Sequence, residues 1–198
     1  MNDLKGLDIG GPRFPGVTVK TGTGYDLTGG GADIWGQLDQ FHFAHLVHRG
    51  DFDFQVRVEA LGESHAYTKA GIMVRESLEA GAVHVFHLVF PDNRPRNNNS
   101  GGYEAQTRAS TGAACTAVYP PLKGVGPIEF PVDFPQVWLR LTRKGDHWTA
   151  WSANDGKTWK VYAQLSLTLP VQVYLGLGLT SHDDAKMVQA RFREVRLN

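Results

Sequence analysis

Hydrophobic and polar residues alternate along most of this chain. Phe52, Phe54, Val56 and Val58 are interleaved with Asp53, Gln55 and Arg57, the period-two pattern of a strand with one buried face. Val137, Leu139 and Leu141 alternate in the same way with Trp138, Arg140 and Thr142, and Val171, Val173, Leu175, Leu177 and Leu179 form a longer row. Shorter strands are expected over residues 17–20, 41–48, 69–76, 83–90, 103–109, 147–152 and 159–165. In the last segment Val188, Ala190 and Phe192 keep one phase, which then slips to Val195 and Leu197, so a bulge is predicted near Arg193. No amphipathic helix of ten or more residues is visible. Residues 91–102 are polar and read as a loop. Residues 110–135 are irregular and hold Pro120, Pro121, Pro127, Pro131 and Pro135; loops of that length are often functional. The expectation is one domain over residues 1–198 with ten to twelve strands and no fixed repeat, packed as two antiparallel sheets rather than a small barrel.

Composition narrows the classes of partner. Among 198 residues, Lys plus Arg and Asp plus Glu are both 20, so the formal net charge is zero. Neither nucleic acid nor an anionic membrane is expected as a partner, because phosphate binding needs a clustered cationic surface. A single cysteine, Cys115, allows no internal disulfide. No apolar run approaches the roughly 20 residues of a membrane helix. The first residues, Met-Asn-Asp-Leu-Lys-Gly, lack a basic segment followed by an apolar one, so no signal peptide is expected. That suits a cytoplasmic protein, a mature form, or a module cut from a longer exported chain. Oligomeric state is left open.

Three segments carry a family resemblance. Ala70-Gly-Ile-Met-Val-Arg-Glu-Ser-Leu78 reads as a strand running into a turn, with Ala70, Ile72 and Val74 on one face and Lys69, Met73 and Arg75 on the other. Asp33-Ile-Trp35 is followed by the Phe-rich Phe41-His-Phe43, and Thr180-Ser-His182 stands near the last hairpin. Together they resemble the concanavalin A-like (laminin-G-like) β-sandwiches of bacterial exported proteins and the related DUF1349 domains, over about residues 33–198. The resemblance implies an all-β, two-sheet antiparallel sandwich of jelly-roll type. It also implies a non-catalytic module that recognises a glycan side-on across a concave sheet.

On that reading Trp35 offers a stacking face, Arg75 and Glu76 stand at a strand end open to solvent, and Glu104, Gln106 and Arg108 point outward with Arg75 and His84 to line a sugar groove. Tyr103 and His182 complete the candidate set, with His182 bonding Asp33 or Arg75. One alternative is a glycoside hydrolase or polysaccharide lyase with Glu76 or Glu104 as acid or base, although the Glu-x-Asp-x-x-Glu pattern of sandwich glucanases and Gly-x-Ser-x-Gly are both absent. Another is a cytoplasmic DUF1349-like interaction domain that binds no sugar. Carbohydrate modules of this fold often carry a structural calcium, for which the loop acids Asp8, Asp33, Asp183 and Asp184 are candidates. His42, His45 and His48 fall on alternating faces of a strand, as do His84 and His87, so neither set converges on a transition metal. Ser152-Ala-Asn-Asp-Gly-Lys-Thr-Trp159 looks like an Asp box, a self-bonded hairpin with a structural role.

Overall fold

The computed structural model of the protein describes residues 2–94, 101–120 and 127–198. Fourteen strands form two fully antiparallel seven-stranded sheets, and there is no helix among the described residues. In chain order they are β1 Lys5–Ile9, β2 Val17–Thr21, β3 Gly24–Gly29, β4 Phe41–Arg49, β5 Phe52–Leu61, β6 Lys69–Arg75, β7 His84–Val89, β8 Tyr103–Arg108, β9 Thr116–Val118, β10 Val137–Lys144, β11 His147–Ala153, β12 Lys160–Ser166, β13 Gln172–Thr180 and β14 Val188–Leu197. The first sheet runs β1-β4-β13-β6-β7-β8-β9 and the second β12-β11-β10-β5-β14-β3-β2.

Three strands, β1, β3 and β9, escape the sequence pattern, β3 because it holds only Tyr25 and Leu27 as apolar residues in a glycine-rich stretch. β1 is an edge strand in which only Ile9 is buried, so it has no alternation to detect. β9 is a three-residue strand inside the irregular 110–135 region, of which residues 121–126 lie outside the described residues, as do 95–100 of the polar loop. The slip in β14 is real. Its register against β5 shifts between Arg191 and Phe192 and again between Arg193 and Arg196, and Glu194 takes a left-handed φ of 52°.

The period-two rows meet between the sheets. Phe54, Val56 and Val58 of β5, Leu139 and Leu141 of β10, and Leu175, Leu177 and Leu179 of β13 are all fully buried in one inter-sheet core. His42 closes one margin of that core. Its Nδ1 donates to Asp8 Oδ1 of β1 at 2.7 Å and its Nε2 is hydrogen-bonded to Thr18 Oγ1 of β2 at 2.8 Å, so one imidazole ties the edge strands of both sheets. Only glycine fits beside it at position 16, where a Cβ would stand 2.1 Å from the ring.

The first sheet is covered on its other face too. Phe41, Phe43, Met73, Phe86 and Leu88 point away from the second sheet and form a separate apolar cluster with Ile9, Ile34 and Phe90. Ile34 belongs to a strap, residues 30–40, that crosses this face between β3 and β4. Every residue of β6, β7 and β8 is therefore buried, although antiparallel sheets commonly leave one face wet.

The Asp box is structural. Asp155 accepts hydrogen bonds from the Lys157 and Thr158 amides at 2.8 and 2.7 Å and from the Thr158 hydroxyl at 2.7 Å. Those three donors hold its carboxyl down at about 2. Trp159 stands edge-on to Trp138 and next to Arg140.

Candidate functional site

Strand parity places Arg75, His84, Gln106 and Arg108 on one face, as the sequence suggested, but the face is not open. All four are fully buried beneath the strap. The reason is a counter-charge supplied by the strap itself. Asp39, equally buried, receives Arg75 Nη1 at 2.6 Å and Arg108 at 2.7 and 2.5 Å, one nitrogen on each carboxylate oxygen. The guanidiniums then reach backbone carbonyls: Arg75 to Glu79 at 2.7 Å, and Arg108 to Gly36 at 2.7 Å and Ala113 at 2.8 Å. Gln106 donates to the Ile34 carbonyl at 2.7 Å, and the Cys115 amide to that of Trp35 at 2.8 Å. The strap, the β6–β7 turn and the β8–β9 turn are thereby locked together. Burial resists ionisation of Asp39, but its bonds to Arg108, His84 and Arg75 outweigh that and hold the carboxyl far below its usual range.

Arg75 is thus an anchor of the strap rather than a solvent-facing ligand. Glu76, the next residue, is exposed on the turn. Tyr103 faces the inter-sheet core, opposite to Glu104, and its hydroxyl donates to the Pro131 carbonyl. Asp39, His84 and Cys115 bring one ligand atom each within 4.8 Å of one another, a grouping that sequence spacing does not reveal. Both oxygens of Asp39 are already held by guanidiniums, and burial lifts the Cys115 thiol to about 11, so the grouping has the chemistry of a buried ion-pair network.

Beyond the strap the same face opens into a cavity of about 340 Å³ lined by Asp33, Trp35, Tyr67, Lys69, Glu104 and His182. Trp35 and Tyr67 are partly exposed at 40% and 38%. Lys69, the first residue of β6, is buried and donates to Asp33 Oδ1 at 2.6 Å and to the Ile34 carbonyl at 3.0 Å, with its ammonium 5.6 Å from the Trp35 ring centre. His182 Nδ1 stands 3.1 Å from the same Asp33 oxygen, so the expected His182–Asp33 contact is present. The Ile34 amide also bonds Oδ1, at 2.7 Å. Burial opposes the Asp33 charge, but His182 and Lys69 prevail and hold its carboxyl below the ordinary value. His182 has a left-handed φ of 58°, uncommon outside glycine, and stacks on His65 at 4.4 Å and near Tyr67 at 5.6 Å. The Tyr119 hydroxyl donates to Glu104 Oε2.

Trp35, Glu104 and His182 are therefore brought together, along with Asp33 from the calcium set. Lys69 and Tyr67 were not foreseen as site residues, although Lys69 shares the Arg75 face by parity. The four calcium candidates are held by separate protein donors: Asp8 by His42 and the Gly16 amide, Asp33 by Lys69 and His182, Asp183 by Lys186 and the Ala185 amide, and Asp184 by the Arg13 amide.

No protein-family model matches the chain, and no curated protein matches its sequence. Solved structures do. A functionally unknown protein from Saccharomyces cerevisiae superposes with a TM-score of 0.70 at 16% identity, covering 98% of this chain and 95% of that one. The carbohydrate-binding module CBM66 from Bacillus subtilis gives 0.58 at 12% identity, covering 100% and 97%. The exoplasmic/lumenal domain of VIP36, in a Ca2+/Man3GlcNAc-bound form, gives 0.58 at 12% identity, covering 99% and 84%. The fold is a concanavalin A-like β-sandwich. At these identities the likeness speaks for the fold alone, and lectin II from Ulex europaeus, a carbohydrate-binding module and part of a GH43 protein, 32% of that chain, share it.

Proposed function

We propose that this chain is a carbohydrate-binding β-sandwich whose ligand enters the cavity between the strap and the β6 and β8 strand ends. The observation that carries the reading is the pairing, in one cavity, of two partly exposed aromatic faces, Trp35 and Tyr67, with the buried Lys69 and Glu104 and the half-buried Asp33 and His182. An aromatic face suits the C–H face of a sugar ring, and fixed carboxylates accept from its hydroxyls. Every donor found on Asp33 among the described residues reaches Oδ1, which leaves Oδ2 as an acceptor for a ligand hydroxyl. The carbohydrate-binding module and the Man3GlcNAc-bound VIP36 domain, which share the fold, are consistent with this partner.

Affinity is expected to be weak, because a small cavity buries little area. The test is a glycan array followed by titration calorimetry on the full chain. Trp35→Ala should weaken binding about tenfold or more. Failure to bind any glycan, or unchanged affinity in Trp35→Ala, defeats the reading; the former leaves the DUF1349-like interaction domain. The four candidate aspartates, of which Asp8 lies in β1 rather than in a loop, are held by cations, two histidines and amide donors rather than clustered for a divalent ion, so binding is proposed to survive EDTA.

A second reading, hydrolase or lyase, draws on the presence of two carboxyl groups, Asp33 and Glu104, in the same cavity. Each already has a partner in Lys69 or Tyr119, which favours binding over turnover. Release of new reducing or unsaturated ends, abolished in Glu104→Gln, would establish it. Glu76 lies outside the cavity lining.

A further inference from the structure

We infer that the cavity recognises the end of a glycan chain, and not an internal stretch lying across the sheet. This rests on the carbohydrate-binding reading above and sharpens it from a side-on groove to an end-on pocket.

The argument begins with what blocks the face. A sheet that binds a long glycan side-on needs an open path across several strands. Here that path is filled. Phe41, Phe43, Met73, Phe86 and Leu88 are wholly buried on this face, packed under Ile34 of the strap with Leu78 and Ala80 of the β6–β7 turn. Arg75, His84, Gln106 and Arg108 occupy the adjoining area, equally buried.

The covering is also pinned. Asp39 bonds both guanidiniums, its amide donates to the Ala80 carbonyl at 3.0 Å, the Gly112 amide to that of Gly81 at 2.9 Å, and the Cys115 amide to that of Trp35 at 2.8 Å. Lifting the strap would strand Asp39, Arg75 and Arg108 without partners in an apolar setting, which is strongly disfavoured.

The pocket wall is made from the barrier itself. Asp33 and Trp35, which line the cavity, are strap residues, and Lys69 and Gln106 both bond the Ile34 carbonyl between them. A chain that enters therefore meets the strap as a closed end. The volume of about 340 Å³ lies at the small end of the range for ligand pockets, about 300–1,000 Å³, and suits the last sugar or two of a chain. Trp35 is then a platform for a terminal ring, and Asp33, Glu104 and His182 are placed around that ring's hydroxyls.

The test uses the full chain with linear β-1,4-linked gluco-, manno- and xylo-oligosaccharides and α-1,4-linked malto-oligosaccharides, each as a ladder from monosaccharide to hexasaccharide, in titration calorimetry. Any series that binds is repeated with a 2-aminobenzamide tag on the reducing end and with a 4,6-benzylidene cap, or for xylan a 4-O-methyl cap, on the non-reducing end. End-on recognition expects affinity to level off by the disaccharide or trisaccharide, with less than about a twofold gain per further sugar, and one of the two caps to abolish binding. Affinity that keeps climbing to the hexasaccharide, or tolerance of both caps, overturns the inference while leaving sugar binding intact. No heat with any series in either native or capped form removes the sugar-binding reading and this inference with it.

Discussion

Replacing Asp39 with alanine is expected to destabilise the fold by about 3 to 5 kcal/mol, because it leaves two guanidiniums buried without a counter-charge. In a domain of this size that corresponds to a Tm lower by roughly 6 to 20 °C. Arg75 and Arg108 have no exposure to water through which to recover solvation, and the carboxylate they share is fully buried as well. The effect should also reach the cavity, since the strap that Asp39 anchors carries Asp33 and Trp35. On the proposed carbohydrate-binding reading, glycan binding should therefore weaken under conditions where the variant is still folded by circular dichroism. Replacing Asp39, Arg75 and Arg108 together with apolar residues of similar volume should recover much of the lost stability, because no buried charge then remains unpaired. A Tm within about 3 °C of the parent for Asp39→Ala would contradict the account of the strap as an ion-paired lid.

Mild acid is expected to produce the second large effect. Burial pushes His84 and His87 down to about 4. Bonds to Asp39 for His84, and to the Trp151 and Glu104 carbonyls for His87, oppose that push without overcoming it. Their unfolded values are near 6.5, so between about pH 4 and 6.5 the unfolded chain binds protons that the folded chain refuses. The stability these groups hold is complete above about pH 6.5 and drains away as pH falls toward 4. For the pair this amounts to about 3 to 4 kcal/mol between pH 7 and pH 5. Less buried His45 is shifted the same way, chiefly by burial, and adds to the trend. Asp39, whose carboxyl is depressed, acts lower: its contribution is intact above the unfolded carboxylate range and is lost only below about pH 4. Urea unfolding at pH 5, 6 and 7 separates the two regimes. His87→Gln should reduce the pH slope by about half, and a flat profile for the parent over this range would refute the assignment.

Much of the architecture could be read from the sequence, because it rests on local alternation. The β5, β10 and β13 rows predicted to face inward do so, and the phase slip near Arg193 is a bulge. Parity even predicted that Arg75, His84, Gln106 and Arg108 share a face. What parity cannot tell is whether a face is wet. That depends on the strap, whose irregular residues carry no period and whose anchor Asp39 lies 36 positions from Arg75 and 69 from Arg108. A signal was nonetheless present. Several cationic and polar residues on one face require either water or a counter-charge, and an aspartate in a loop just before a strand is a natural source. Tyr103 illustrates the opposite case: its neighbour Glu104 points the other way, so sequence alone could have placed the two on different faces. Lys69 was seen on the correct face but not in the site, because its partners Asp33 and Ile34 come from the strap.

The arrangement of the first strands has a consequence for self-association. β1 covers the rim of β4 in one sheet, and β2 covers the rim of β3 in the other, so one short N-terminal stretch shields both layers on the same flank. The strands beneath are long or apolar, with Phe41 and Phe43 in β4 and Tyr25 and Leu27 in β3. Unshielded, each would present a row of backbone donors and acceptors to another molecule. His42, which bonds Asp8 and Thr18 together, makes the shielding of the two rims a single event. The N-terminal stretch thus works as a clasp against aggregation, and its release would bare two sticky edges at once.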